Sequence, residues 1–209
     1  MSGPNLKTWF RKSINDELLR SFDIFSHSIT VIGEKHRMIH DGFFFNATGV
    51  VAAVANNASA DILLTFPAGH FGHLTLVEFT IDDGPATALF YENVVTSADG
   101  TAVNVRNHNR VNGNDASNAV VTLGPTITDI GDELDIRHIP GGGPPGQNAG
   151  QLVAGEDAEW LLGSPTVETK YMWRLTNQSG GAITIGFHFN GYEPGYPEDA
   201  TALDTPLQS

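Results

Sequence analysis

Hydrophobic and polar positions follow two different periods along the chain. In the first part Leu6, Phe10, Ile14, Leu18 and Phe22 recur every four residues, with Pro4 placed for a first helical turn. That spacing predicts an amphipathic helix, because residues four apart share a helix face. The following "DIFSHSITVIGEKHRMIH" loses the period and reads as extended. From residue 38 the pattern becomes short alternating or apolar runs separated by turn residues: "FFFNAT", "GVVAAVA", "DILLTFP", "HLTLVEFTI", "ATALFYE", "TAVNVR", "NAVVTL", "ELDIRHI", "EWLLG", "KYMWRLTN" and "AITIGFHFNGY". Between them "NNAS", "PAGHFG", "DDGP", "SADG", "NGND" and "NQSGG" supply the Gly, Asn and Asp that tight turns require. Helical periodicity is absent there.

About ten strands without intervening helices predict an all-β fold, an antiparallel β-sandwich of jelly-roll type. Three parts follow: an arm at 1–37 containing the helix, a β-sandwich domain at 38–193, and an extended, Pro- and acid-rich tail at 194–209. Alternation in "YMWRLTN" puts Tyr171, Trp173 and Leu175 on one face and Met172, Arg174 and Thr176 on the other. Phe187 and Phe189 likewise point together, away from His188. The residues that link "DDGP" and "NQSGG" to their flanking runs read as hairpin turns.

Charge sharpens the division. Of 209 residues, 24 are acidic and 11 are Lys or Arg, a formal net charge of −13. Six of those bases (Lys7, Arg11, Lys12, Arg20, Lys35, Arg37) fall in the first 37 residues beside four acids, so 1–37 carries +2 and 38–209 carries −15. An acidic body argues against a nucleic-acid groove, which is built from Lys and Arg. A mildly basic arm suits an acidic surface, its own or a partner's. Without cysteine there are no disulfides or thiolate metal sites. No apolar run approaches a membrane span and no export signal is legible, which predicts a soluble protein.

Chemistry is sparse. "HIPGGGPPGQNAGQ" contains Gly141, Gly143 and Gly146 at nucleotide-loop spacing. Pro144 and Pro145, however, remove two N–H donors that such a loop needs, and no helix pattern follows. A stiffened surface loop is the expectation. His36 and His40, and His70 and His73, are pairs without a third ligand beside them, so no metal is expected. Asp82-Asp83-Gly84 lacks the calcium-loop register. Asp132/Glu133 and Glu156/Asp157 sit beside turns without marking a hydrolase dyad. There is no G-x-S-x-G. The Asn-x-Ser triplets at Asn57 and Asn177 have no secretory context. Neither an enzyme nor a cofactor is expected.

Taken in order, "MIHDGFFF", "DILLTFPAGHFGHLTLVEF", "LFYENVVTSADGTAVNVRNHNR", "GPTITDIGDELDIRHIPGGG" and "EWLLGSPTVETKYMWRLTNQSGGAITIGFHFNGYE" resemble a family of virion structural proteins of tailed bacteriophages, of the head decoration or cement type. The shared pattern is an H-x-G-aromatic opening, an "LYE…GT…N.NR" block, a "PT…G" strand and a closing "YL.R.TN.SG…YE" hairpin, over residues 38–193. Gly191 stands where the pattern has an aromatic. The resemblance implies a jelly-roll subunit, typically a homotrimer, clamped on the major capsid protein at capsomer junctions. It implies assembly in the host cytoplasm and residence on the outer capsid surface, without nucleic acid or membrane as partner. Capsid or inter-subunit contact is then expected from the arm, through Leu6, Trp9, Phe10, Ile14, Leu18 and Phe22, with Arg11, Lys12 and Arg20 as charge complement. The alternative is another virion β-sandwich module, of tail, fibre base or host-carbohydrate binding.

Overall fold

The computed structural model describes residues 22–23, 28–29, 38–109, 116–140, 150–154 and 160–193. In chain order the strands are β1 (Phe22–Asp23), β2 (Ser28–Ile29), β3 (Phe44–Val54), β4 (Ser59–Phe66), β5 (His70–Ile81) and β6 (Ala86–Glu92). There follow β7 (Val95–Ala98), β8 (Thr101–Val103), β9 (Val105–Asn107), β10 (Val120–Leu123) and β11 (Thr126–Asp129). The last are β12 (Asp132–Ile139), β13 (Gly150–Ala154), β14 (Trp160–Ser164), β15 (Thr169–Asn177) and β16 (Ile183–Tyr192). Met38 to His40 make a helical turn where the sequence read as extended.

Two antiparallel sheets carry the domain. One runs β12-β6-β15-β4-β10-β8; the other runs β13-β5-β16-β3-β9, with β14 placed after β13 along the same edge of β5. Without β8, β9 and β10, the sheets read β4-β15-β6-β12 and β3-β16-β5-β13/β14. Successive core strands fall in opposite sheets, except β6 to β12 and β13 to β14, which share one edge of β5. That is the jelly-roll order. The expected all-β sandwich is present, while the arm helix lies outside the described residues.

Turn chemistry was sound but its topology was not. Asp82–Pro85 joins β5 to β6 and Gln178–Ala182 joins β15 to β16, and each pair lies in different sheets. These are arches across the sandwich, not hairpins. Gly84 and Gly180 have positive φ, as a hairpin would also demand. The runs "FFFNAT" and "GVVAAVA" form the single strand β3, which is bulged near Val51–Val54 with Ala53 at φ 56°. Conversely "TAVNVR" divides into β8 and β9 in different sheets. β7, β11 and β13 correspond to none of the alternating or apolar runs marked in the sequence, although β11 falls in the "PT…G" motif.

The core lies between the sheets. Phe79, Phe90 and Trp173 are fully buried, with Trp173 stacked on Phe90 at 4.5 Å and edge-on to Phe79 at 5.2 Å. Tyr171, Leu175, Phe187 and Phe189 join them, as alternation predicts. Burial of each such side chain contributes about 1.5–3 kcal/mol. Met172, on the opposite face, is buried as well. It forms a second cluster with Leu63, Tyr91 and Val94, against which Ile127 and Ile130 pack. The segment from β7 to β11 thus covers the outer face of the β4-β15-β6 region.

That segment also closes one side of the sandwich. β10 and β8 extend one sheet beyond β4, and β9 extends the other beyond β3. Asn104 carries the chain from one sheet to the other. On the opposite side, among the described residues, β12, β13 and β14 end their sheets.

Candidate functional site

Of the expected contact residues, Leu6, Trp9, Phe10, Arg11, Lys12, Ile14, Leu18 and Arg20 lie outside the described residues. Phe22 is placed by its backbone in β1, antiparallel to Ile29. The helix therefore does not extend to Phe22: ladder pairing with β2 requires an extended backbone, which an i, i+4 helical turn excludes. The four-residue spacing at that position is not helical. Gly141, Gly143, Gly146, Pro144, Pro145, His36, Glu156 and Asp157 also lie outside the described residues.

The motif residues that are described hold chain crossings together. Asn107 in β9 donates from Nδ2 to the Gly42 carbonyl at 2.7 Å and accepts from the Asn109 N–H at 2.7 Å. Asn109 donates to the His40 carbonyl at 2.8 Å. The "N.NR" block is therefore bound to the "H-x-G" opening. Asn177 is fully buried; it donates to the carbonyls of Val54 (2.8 Å) and Gly181 (2.7 Å) and accepts from the Ser179 N–H (2.8 Å). It ties the β15–β16 arch to the end of β3. Such a buried side chain is no glycan acceptor.

Glu193, the last residue of the "YE" motif, is 9% exposed. Its carboxylate accepts from Ser117 Oγ, from the backbone N–H groups of Asn118 (2.8 Å) and Ala119 (3.0 Å), and from Asn118 Nδ2 (3.0 Å). Its own N–H donates to the Phe43 carbonyl at 2.9 Å. One carboxylate thus fixes the approach to β10 against the end of β16. Gly131 has φ +73°, and a side chain there would strike the Glu92 carbonyl. Gly191 sits opposite Leu74 at a register shift, and a side chain there would strike the His73 carbonyl.

Ion pairs fasten the covering segment and the sheet. Lys170 Nζ donates to Asp99 at 2.7 Å and to Thr96 Oγ1 at 2.9 Å; the Lys170 bond, then the one that the Thr96 hydroxyl donates to Asp99, hold that carboxyl below its ordinary pKa. Arg174 makes a bidentate pair with Asp61 (2.7 and 2.8 Å), which raises its pKa. Asp82 accepts the Thr184 N–H at 2.6 Å and is held below the carboxylate norm mainly by that bond. Burial, then the Glu133 charge, push the Tyr91 phenol up.

No group of three or more potential metal ligands occurs among the described residues. His70 and His73 are three apart on β5 and so point to opposite faces; His73 stacks on Tyr192 at 4.5 Å. Asp132 and Glu133 stand exposed on β12, Asp132 accepting from Asn93 Nδ2 at 3.3 Å. An apolar gap of about 50 Å³ lies between the sheets beside Phe45, Leu64, Phe66 and Phe189. Its accessible lining is mostly apolar. Every Phe, Tyr and Trp whose burial is described is buried or half-buried.

Surfaces remain. The outer face of β3-β16-β5 is low in charge, with Thr48, Val50, Thr80 and Gly186 around the pair His188 and Glu78 (3.5 Å). Val50 is 62% exposed there. None of the described helices is long and apolar enough to cross a membrane.

No protein-family model matches the chain, and no curated protein does. Among solved structures, that of infectious bursal disease virus, Gt strain, aligns at 14% identity over 75% of this chain with a TM-score of 0.14. The alignment takes in 42% of the virus chain, so this chain spans about two fifths of its length.

Proposed function

We propose that this chain is a virion structural protein of the head-decoration type, a binding and scaffolding subunit rather than an enzyme. The observation that carries the reading is the ordered motif set over 38–193, whose resemblance to tailed-phage decoration proteins is matched by a jelly-roll body of the kind that the resemblance implies. The motif residues Asn107, Asn177 and Glu193 serve that body. Its partner would be the major capsid protein, its own assembly a homotrimer, and its place the outer capsid surface. The mechanism is mass action: a subunit that binds the assembled lattice and not its ruptured or dissociated states stabilises the lattice by RT ln(1 + [L]/Kd).

Copy number tests it. Quantitative mass spectrometry of purified particles should give this chain in a fixed ratio near the number of capsomer junctions. A handful of copies per particle would place it in the tail and end the decoration reading.

A further inference from the structure

We propose that a second copy of this chain docks on the outer face of β9-β3-β16-β5, sheet against sheet, about a twofold axis that runs along the strands between β3 and β16. The ladder pairs define the rows of that face. Val50 stands opposite Gly186, and Gly186 opposite Thr80; Thr48 stands opposite His188, and His188 opposite Glu78. On β9, Arg106 stands opposite Asn46, which precedes Thr48 by two residues and so shares its face.

Shape is the first argument. Val50 is 62% exposed while its neighbour Gly186 has no side chain, so the face carries a knob beside a notch. A Cβ at Gly186 would meet Thr80 Oγ1 at 2.5 Å and fill that notch. As it stands, the notch is part of a shallow concavity of about 350 Å³ bounded by Thr48, Val50, Glu78, Thr80 and His188. Rotation about the proposed axis exchanges the places of β3 and β16, so Val50 of each copy lies over Gly186 of the other. An isologous interface requires a patch that is complementary to itself in this way.

Charge is the second. The same rotation lays β9 of one copy over β5 of the other. Arg106 is exposed, and among the described residues it is the one base without an ion pair, because Arg137, Lys170 and Arg174 are engaged within the fold. Across the axis it comes within one row of Glu78 on β5, and the twofold makes that contact twice. For a chain of net charge −13, two copies meet with least repulsion through a face whose charges match. At about 4.8 Å between strands and about 3.4 Å per residue, the face measures about 600 Å², so a pair buries about 1,200 Å², the lower bound of a specific interface. Association in the micromolar range is expected of it. The inference does not rest on the capsid reading; in a homotrimer the same contact would join two trimers back to back.

Charge exchange in the full-length protein tests it. Arg106→Glu and Glu78→Arg, each alone, set like charges against each other across the axis and should weaken self-association about tenfold in sedimentation equilibrium. An equimolar mixture of the two variants should recover association to within severalfold of the unchanged protein, because each mixed pair restores both opposite-charge contacts. Val50→Asp should abolish pairing with Tm unchanged. Val50 and Arg106 are exposed, so those two variants stay folded and carry the test even if Glu78→Arg does not. A protein that stays monomeric at submillimolar concentration, an oligomer untouched by Val50→Asp and Arg106→Glu, or a mixture of folded variants that recovers nothing would overturn the proposal. No virion is needed, so that failure leaves the copy-number test of the decoration reading intact.

Discussion

Replacing Glu193 with alanine should unfasten the approach to β10 while leaving the two sheets intact. The carboxylate takes four hydrogen bonds from residues 117–119, at 91% burial of the residue. After truncation the Ser117 hydroxyl and the Asn118 amide can turn to water. The backbone N–H groups of Asn118 and Ala119 cannot turn, and each partly buried donor left without an acceptor costs about 1–3 kcal/mol. Taking the lower half of that range, because Asn118 is exposed, and adding lost packing of the side-chain stem gives about 3 kcal/mol. For a domain of this size that corresponds to a fall of about 6–12 °C in Tm. Urea titration of the Ala variant should show a lower midpoint with an unchanged slope. Glu193→Gln, which keeps one acceptor oxygen, should lose about half as much. Glu168→Ala, on a side chain 57% exposed, should stay within about 0.5 kcal/mol. Amide exchange supplies the local readout: Asn118 and Ala119 should exchange far faster in the Ala variant, while Trp173 keeps its protection. A loss under 1 kcal/mol, or a large loss without faster exchange at 118 and 119, would refute the clamp.

Two other outcomes follow from the backbone and the charges. Ala53 is held at φ 56°, which costs an L-residue about 1–2 kcal/mol, so Ala53→Gly should stabilise by about 0.5–1 kcal/mol after the entropy that glycine adds to the unfolded chain; a lower urea midpoint would count against the bulge. Asp82 and Asp99 titrate below the ordinary carboxylate range, so near pH 4 the unfolded chain binds more protons and stability falls as pH drops through that region. Tyr91 titrates above its ordinary value, so the unfolded chain loses that proton first and stability falls as pH rises past about 10. Tm against pH should flatten on the acid side in Asp82→Asn and Asp99→Asn and on the alkaline side in Tyr91→Phe; limbs unchanged in all three variants would contradict the assignments.

The sheet content and the inward face of each long strand were legible because period-two alternation directly reports a half-buried strand. Tyr171, Trp173 and Leu175 show it, as do Phe187 and Phe189. What alternation cannot carry is the partner strand. Asp82–Pro85 and Gln178–Ala182 have the residues of hairpin turns because an arch between sheets also needs φ > 0 and Asx bonds such as Asn177 to Ser179. Met172 looked like an outward residue, and by strand geometry it is one. Its burial comes from Ile127 and Ile130, brought over it by an insertion some 45 residues distant in sequence. β13 is short, follows the Gly- and Pro-rich stretch, and gains its ladder from the twelve-residue β5, which is long enough to pair with β13 and β14 in succession.

The same logic separates what the motifs determine from what they leave free. Asn107, Asn109, Gly131, Asn177 and Glu193 spend their hydrogen-bonding or conformational capacity on chain crossings. A residue whose polar atoms are all engaged inside the fold has none to offer a partner, so these positions specify the jelly roll and not what it docks on. Partner choice must then reside where side chains are uncommitted. On the described body the exposed side chains include Val50 on the outer face of β3 and Glu133 and Ile136 on β12.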